Sequence, residues 1–466
     1  MNIAWEEHEA RLYEGDMKHR SLLNVIIWSF GQIAIELPNE FTQRTNILFM
    51  ILIIQEGMSY TTSLIILCIC TLLFSVLGSV INFVILCVSV RYAIKKRVIV
   101  TIGVFVLLLY ILAMWVYHWS MLGLLLLITA WLPQAAVSLH GSQVPFIATN
   151  DLHQLADHFS MFMAIVTQNL YIYSSRMFPD WQYFDENTQA LISINGSIEK
   201  PYGTQYITTF VAGVGIIAFL PYLFLKEQRT EPPIKNFKYN MIYIGNEFKT
   251  ILSDIIHEKN FIFFLIAVIG IQYCPLYANT LFKTVQIDIF HASHIEMHMR
   301  ENIFFWTHLI CMFIIPPILH KYGPKFMLMI NLILCMLVTS FQMMVVFSSV
   351  LSYIACVMCG IVNASMNVTI RRFIIENCTY DTISMHYGFV TILIKIMNSI
   401  SILISLIYSF TEDLNFFLRY YAAVFIFFFL AVIGTIACMF SRDHHKEYKL
   451  GLRPPYLKYE ILEEKE

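Results

Sequence analysis

Apolar runs of about 20 residues recur from one end of this sequence to the other. A helix of about 20 predominantly apolar residues spans the hydrocarbon core of a bilayer. The sequence predicts an all-α membrane protein with twelve transmembrane helices. The twelve candidate spans lie at approximately 21–54, 60–90, 97–117, 119–146, 156–177, 205–225, 261–285, 302–320, 324–347, 351–372, 385–409 and 415–440.

The composition leaves no room for a large soluble domain. Hydrophobic residues make up 58% of the 466 residues and charged residues only 13%, whereas soluble domains carry about 25% charged residues. The formal net charge of −2 gives no bulk basic signal for nucleic acid. We therefore expect this chain to be embedded in the lipid bilayer, and we expect no nucleic-acid partner.

A polar stretch divides the spans into six plus six. The predicted organisation is a cytoplasmic N-terminus (1–20), an N-terminal six-helix bundle (21–225), a cytoplasmic linker (226–260), a C-terminal six-helix bundle (261–441) and a cytoplasmic tail (442–466). Apolar residues at helical spacing in the second half of the linker predict an amphipathic helix that lies on the cytoplasmic membrane face or packs under the bundle. Two six-helix bundles joined in this way match the major facilitator fold.

The distribution of Lys and Arg predicts the orientation. The basic segments are 91–97, 226–259, 320–325, 371–372 and the tail, and with twelve spans all of them lie on one side of the membrane. Positively charged connections stay on the cytoplasmic side. We therefore expect both termini in the cytoplasm, and we expect the plasma membrane as the location.

Three ionisable residues, Glu36, Glu40 and Arg44, lie inside the first apolar span. Each charged side chain at the hydrocarbon centre costs roughly 2.5–3.5 kcal/mol on insertion scales. Their i+4 spacing places all three on one helical stripe, and we expect this stripe to face protein or water. Two roles fit: a partly dehydrated carboxyl that loads and releases a proton near neutral pH, or a satisfied polar ladder that pins the span to its neighbours.

Lys395 is a second cation inside an apolar span, the eleventh. It is a candidate to pair with Glu36 or Glu40 across a central cavity, which would neutralise both charges, or to attract an anionic substrate. The alternative is that its flexible stem carries the charged end to a watery vestibule.

Several stretches resemble the proton-coupled oligopeptide transporter family. They are ELPNEF (36–41), GLLLLITAWLPQAAVSLHGSQ (123–143), HFSMFMAIVTQNL (158–170) and SYIACVMCGIVNASMN (352–367). The resemblance covers most of the chain in order and spacing, and it is loose in identity. It implies the major facilitator fold and a substrate site near the middle of the membrane, with di- or tripeptides and protons as partners.

This sequence departs from the family at most of its charged positions. Glu36 keeps the first glutamate of the family motif, whereas Asn39 stands at the second glutamate and Glu40 at the arginine. Gln134 replaces the lysine of the fourth span, and Gly360 the glutamate of the tenth. At most of the positions that the resemblance assigns to proton or substrate contact, this sequence therefore has other residues than the family.

These observations predict a secondary-active transporter of a small solute that works by alternating access. The predicted contact residues are Glu36, Asn39, Glu40, Arg44, Gln134 and Lys395. The alternatives are a transporter-like receptor or scaffold that moves no solute, and a facilitator carrier for a different small molecule. No nucleotide-binding loop, catalytic metal motif or nucleophile elbow occurs in the sequence, so we predict neither an enzyme nor a cofactor nor a bound metal.

Overall fold

The computed structural model describes most of the chain, and nearly all of what it describes is α-helix. The described residues are 21–38, 41, 49, 53, 56–58, 60–91, 94–116, 118–148, 150–176, 202–226, 249, 253, 257–272, 274, 294–344, 349–378, 383–410 and 416–449. No β-strand occurs within these ranges. The chain divides into two compact units, Met1–Met241 and Ile242–Glu466.

The first unit contributes six long helices and one short one to the described part. They are α1 (Leu22–Pro38), α2 (Tyr60–Arg91), α3 (Lys95–Met114), α4 (Trp119–Gly141), α5 (Val144–Ile147), α6 (Asn150–Arg176) and α7 (Tyr202–Phe219). Ser21 caps the N-terminus of α1. Its hydroxyl accepts a hydrogen bond from the backbone N–H of Asn24 at 3.2 Å, which satisfies one of the N–H groups that are unpaired at the start of a helix.

The second unit follows the same plan, with six long helices and a short terminal one in the described part. They are α8 (Lys259–Ile271), α9 (His294–Tyr322), α10 (Pro324–Met344), α11 (Ser349–Asn377), α12 (Ile383–Phe410), α13 (Phe416–Phe440) and α14 (His445–Lys449). Gly323 separates α9 from α10 with a φ of +87°. This left-handed conformation is one that glycine adopts without strain and that commonly ends a helix.

Several helix pairings recur in both units. In the first unit α2 and α3 pack on α4, α7 packs on α3, and α1 packs on α6. In the second unit α9 and α10 pack on α11, α13 packs on α10, and α8 packs on α12. The long helices thus take equivalent places in the two units, and the prediction of twelve helices in two six-helix bundles is confirmed. The predicted limits of the linker and bundles stay a prediction.

Apolar surface on the outside of the helices agrees with a lipid environment. Five described helical segments are long and apolar enough to cross a membrane by length and composition: Lys95–Met114, Tyr206–Phe224, Asn302–Tyr322, Pro324–Met344 and Val350–Asn377. Trp306, Ile310 and Phe313 on α9 are each more than half exposed. A water-soluble protein buries such a stripe against its core.

Two helices of the first unit cross closely because a glycine lies at the crossing. A Cβ added to Gly78 of α2 would lie 2.1 Å from the Cβ of Trp131 in α4, which is closer than any real contact of this kind. Small residues let membrane helices approach one another's backbones. This approach places Asn82, one turn further along α2, against α4.

Helices α8 and α13 of the second unit also meet through glycines. A Cβ on Gly270 would lie 3.2 Å from the Cα of Gly434 and 2.9 Å from the carbonyl oxygen of Leu430. The side chain of Leu332 from α10 covers the crossing, with its Cδ2 2.8 Å from the same added Cβ. Backbone contact of this kind replaces the hydrophobic driving force, which is weak between helices in lipid.

We expect Gly78→Leu to prevent the close crossing of α2 and α4, because its side chain would occupy the space of Trp131. The measurement is the thermal unfolding midpoint of the purified protein. The control is Gly213→Ala in α7, where an added Cβ meets no atom within 4 Å and alanine favours a helix by roughly 1 kcal/mol. An unchanged midpoint for Gly78→Leu would contradict the crossing.

Candidate functional site

Three of the residues predicted to contact substrate or proton, Asn39, Glu40 and Arg44, lie outside the described residues. The prediction that Glu40 and Arg44 share one stripe with Glu36 therefore stays a prediction. Glu36, Gln134 and Lys395 lie within the described part of the chain. Their surroundings form the candidate site.

Glu36 belongs to a hydrogen-bonded chain that joins α1 to α6. The amide nitrogen Nε2 of Gln32 donates to Oε1 of Glu36 at 2.6 Å. The hydroxyl of Ser160 on α6 donates in turn to Oε1 of Gln32 at 3.3 Å. Gln32 lies one helical turn before Glu36, so both face the same side of α1. Gln32 thus uses its donor on the carboxylate and its acceptor on the neighbouring helix.

This polar chain lies deep within an apolar helix. Glu36 is 14 residues beyond Leu22, which at 1.5 Å per residue corresponds to about 21 Å along the axis. Ile33 and Leu37, on either side of it, belong to the buried hydrophobic core of the first unit. Gln32 and Ser160 are buried, whereas Glu36 is partly exposed. The carboxylate is therefore more exposed than the two residues that support it.

Gln134 is buried between α2 and α4, beside Asn82. The amide of Asn82 donates to the backbone carbonyl of Trp131 at 2.8 Å and to Oε1 of Gln134 at 3.4 Å. Gln134 directly follows Pro133, which lies inside α4 and removes one backbone N–H from the helix. Asn82 thus supports α4 at the turn where a proline weakens the helical hydrogen-bonding.

A stacked group of aromatic rings fixes the start of α1. The rings of Trp28 and His140 are parallel within 5° and their centroids lie 4.4 Å apart, while Nε1 of Trp28 donates to the backbone carbonyl of His140 at 3.0 Å. Tyr222 covers the other part of the His140 ring, with centroids 5.8 Å apart. A Cβ on Gly31 would lie 2.6 Å from both His140 and Tyr222, so only glycine fits between them.

Helix α6 buries two ionisable residues that the sequence interpretation did not single out. His153 and Asp157 are one turn apart, and both are fully buried. Ser160, the partner of Gln32, follows Asp157 by three residues on the same side of α6. The available signal was the aspartate at the start of an apolar span, because such residues are rare in membrane helices and concentrate at functional positions.

Many hydroxyl groups within the described helices donate to a carbonyl of their own helix, so the hydroxyls that bond another helix stand out. Thr167, Thr391 and Thr435 each donate to the carbonyl four residues earlier, at 2.7–2.8 Å. Ser160 instead donates to another helix. Ser365 of α11 bonds both Oδ1 of Asn331 in α10 at 2.7 Å and the carbonyl of Val362 in its own helix at 3.1 Å. The cross-helix hydroxyls mark the polar interior of each unit.

Lys395 lies half-buried in α12 of the second unit. Its predicted pairing with Glu36 or Glu40 joins residues of the two units, and it stays a prediction. The second unit has its own buried polar positions nearer α8: Gln272 donates to the carbonyl of Val268 at 3.3 Å and contacts the sulfur of Met366 at 3.4 Å. Within the described ranges, no group of three or more His, Cys, Asp or Glu side chains is placed to hold a metal ion.

Comparisons with known proteins agree on the fold. The family model of the Major Facilitator Superfamily matches residues 193–406, and a comparison with curated protein sequences finds no match. A proton:xylose symporter, XylE, bound to 6-bromo-6-deoxy-D-glucose aligns with 90% of this chain and 96% of its own, at a TM-score of 0.65 and 9% identity. The chain has the major facilitator fold.

Two further solved structures have the same fold. The human organic anion transporter MFSD10 aligns with 90% of this chain and 100% of its own, at a TM-score of 0.60 and 10% identity. The nucleoside transporter NupG aligns with 90% of this chain and 98% of its own, at a TM-score of 0.54 and 14% identity. None of these three is described as a peptide transporter. The resemblance to peptide transporters therefore rests on the sequence motifs alone.

We expect Asn82→Leu to destabilise the first unit more than Gln134→Leu, because it removes the short bond to the Trp131 carbonyl as well as the longer bond to Gln134. Cross-helix hydrogen bonds in membranes average about 0.6 kcal/mol, with a maximum of about 1.7 kcal/mol. The measurement is the shift in thermal midpoint, with Thr435→Val as the control for a hydroxyl bonded within its own helix. A larger decrease in the thermal midpoint for Gln134→Leu than for Asn82→Leu would contradict this prediction.

Proposed function

We propose that this protein is a secondary-active carrier of a small polar solute, that Glu36 contacts the solute or the coupled proton, and that Gln32 and Ser160 hold Glu36 in place. The observation that carries the proposal is the partly exposed carboxylate of Glu36, held by Gln32 within an apolar helix. Ionisable groups inside membrane spans are costly and concentrate on substrate and ion pathways. The major facilitator fold supports the same function.

The polar residue types inside the first unit favour a solute that forms several neutral hydrogen bonds. Gln32 and Ser160 on α1 and α6, and Asn82 and Gln134 on α2 and α4, are amides and a hydroxyl. Such groups both donate and accept, which matches the hydroxyl groups of a sugar or the base and ribose of a nucleoside. The sugar symporter and the nucleoside transporter with the same fold support this substrate class.

Glu36 is the proposed proton carrier. As a carboxylate it only accepts hydrogen bonds, and it accepts one from Gln32; when protonated it gains one O–H donor. A proton taken up on one side of the membrane would therefore change what Glu36 offers to the solute, and alternating access would release the proton on the other side.

A di- or tripeptide is the second candidate substrate, and the ELPNEF motif (36–41) favours it. In this case Glu36 suits the ammonium group of a peptide and Lys395 suits a carboxylate. The neutral amide at Gln134, where the peptide-transporter family has a lysine, favours the uncharged solutes instead.

The orientation with both termini in the cytoplasm of a plasma-membrane protein remains part of the proposal. Lys95, Lys96 and Arg97 begin α3, and Lys321 and Lys325 flank the turn from α9 to α10. These connections are positively charged, as cytoplasmic ones are. A tag on either terminus should become accessible to antibody only after the cells are permeabilised.

The decisive experiment is uptake into proteoliposomes that contain the purified protein, with labelled sugars, nucleosides, organic anions and dipeptides as probes. We expect uptake of at least one sugar or nucleoside, stimulated by an inward proton gradient. Uptake of dipeptides alone would select the second candidate. Absence of uptake for every probe, with folded protein in the vesicles, would contradict transport of these solutes and favour a receptor or scaffold.

We expect Glu36→Gln to abolish stimulation by the proton gradient, because an amide cannot carry the proton yet still accepts a hydrogen bond from Gln32. The matched control is Glu56→Gln, which makes the same chemical change at an exposed turn between α1 and α2 and should leave the stimulation intact. Unchanged stimulation in Glu36→Gln would reject Glu36 as the proton carrier.

A further inference from the structure

The segment that follows α13 turns back and packs against one end of the second unit. His445, the first residue of α14, has its Nδ1 3.0 Å from Oε2 of Glu376 in α11 and its Nε2 3.2 Å from the backbone carbonyl oxygen of His320 in α9. His445 and Tyr448 form the buried side of α14. The tail is therefore held in a fixed position, with the opposite side of α14 turned outward.

The outward side of this end is rich in cations. Lys446 and Lys449 of α14 are exposed, and so are Lys321 at the end of α9 and Arg442 in the segment before α14. Nζ of Lys449 donates to the backbone carbonyl of Lys321 at 3.3 Å. The backbone N–H of Arg442 donates to Oδ1 of Asn260 in α8 at 2.6 Å. These bonds bring cations from two distant parts of the chain to one surface.

Lys325, the second residue of α10, joins this surface to the end of α13. Its Nζ donates to the carbonyl of Met439 at 3.2 Å and also to the carbonyl of Ser441, two of the carbonyls that lack a partner at the end of a helix. Ser441 directly precedes Arg442. The ammonium group of Lys325 therefore lies beside the segment that carries Arg442, at the level where α13 ends.

Carboxylates do not cancel the positive charge of this surface. We call its five cations the basic patch: Lys321, Lys325, Arg442, Lys446 and Lys449. Among the described residues of the same segments, the exposed carboxylates are Asp443 and Glu447. Glu376 is only 1% exposed, and Glu258 and Lys259 at the start of α8 add one charge of each sign. An excess of positive charge therefore remains.

Apolar side chains that are exposed on the outside of the bundle border the basic patch directly. Met439 and Phe440, the last residues of α13, are 62% and 68% exposed. Tyr322 and Phe326 are exposed as well, with ring centroids 5.0 Å apart, and Nζ of Lys321 lies 5.0 Å from the centroid of the Tyr322 ring. Aromatic residues of membrane proteins concentrate at the level of the lipid headgroups. The cations and the apolar residues thus meet at that level.

The chemistry of a phospholipid fits both halves of this surface. Its phosphate lies at the level of the cations, and its acyl chains lie below, against Met439 and Phe440. A cluster of four to eight Lys and Arg next to the end of a transmembrane helix is typical of sites for anionic lipids. A soluble anion would use the cations and leave the neighbouring apolar residues without a role.

We propose that the basic patch binds an anionic phospholipid, with the headgroup beside Arg442 and Lys446 and an acyl chain along Met439 and Phe440. In the orientation proposed above, this end of the protein faces the cytoplasmic leaflet, which carries the anionic lipids. The proposal goes beyond solute transport, and its test requires no solute.

The test is native mass spectrometry of the purified full-length protein in detergent, with phosphatidylserine and phosphatidylcholine of identical acyl chains as probes. We expect the protein to retain phosphatidylserine in preference to phosphatidylcholine. The double variant Arg442→Gln, Lys446→Gln should lose affinity for phosphatidylserine, by roughly fivefold for each charge removed, and keep its affinity for phosphatidylcholine. Both side chains are exposed, so the thermal midpoint should not change.

The matched control is the double variant Arg97→Gln, Lys226→Gln. It removes the same number of charges from exposed positions of the first unit, at the start of α3 and just after the 3₁₀ turn that follows α7. We expect it to bind phosphatidylserine as the unaltered protein does. An equal loss of affinity in both double variants would show diffuse attraction by net charge and would overturn the proposed site.

Two competitors test whether the ligand is a lipid. Neither inorganic phosphate nor glycerophosphoserine, the headgroup without acyl chains, should displace phosphatidylserine when added at the concentration of the lipid. Displacement by either one would show that the patch binds a soluble anion and that the apolar residues contribute nothing. Equal retention of phosphatidylserine and phosphatidylcholine by the unaltered protein would also reject the proposal.

Discussion

Polar groups inside apolar helices have to satisfy one another, and this constraint organises both units. Lipid offers no hydrogen bonds, so a buried amide or carboxylate without a partner is costly. In the first unit Ser160 bonds Gln32 and Gln32 bonds Glu36. In the second unit Ser365 bonds Asn331. Such pairs fix which helices are neighbours and in which register, because apolar contacts alone are similar on every side of a membrane helix.

Small residues complement these polar pairs by setting how closely the helices approach. Asn82 reaches the carbonyl of Trp131 because Gly78, one turn earlier, lets α2 lie against α4. A larger side chain at Gly78 would move the amide of Asn82 away from its acceptor. Packing and hydrogen bonding are thus coupled at this crossing, and a change in either would weaken the hydrogen bond that Gln134 accepts from Asn82.

The helices could be predicted from the sequence because the length of an apolar run is a local property. The span predicted at 60–90 is the helix Tyr60–Arg91, and the one predicted at 324–347 is Pro324–Met344. The span predicted at 119–146 instead divides after Gly141, and Pro145 lies in the first turn of the short helix α5. Proline at the first turn of a helix marks a start, and this signal lay inside an apolar run.

The partners of the site residues could not be predicted, because they come from distant parts of the chain. Glu36 was identified from its charge, but Gln32 and Ser160 are separated by 128 positions and neither is unusual alone. Asp157 was overlooked because it lies at the start of its span, where a charge is less unexpected. His445 lies in a tail predicted only as cytoplasmic, and its contacts, Glu376 and the carbonyl of His320, come from other helices.

The contact of Gly270 with Gly434 has a mechanical consequence. Side chains between two helices act as a compliant layer, because they can change rotamer and let the helices tilt. Where α8 and α13 touch through their backbones, with Leu332 closing the contact, that layer is missing. We therefore expect these two helices to move as one rigid pair, so that any bending within the second unit falls to its other helices.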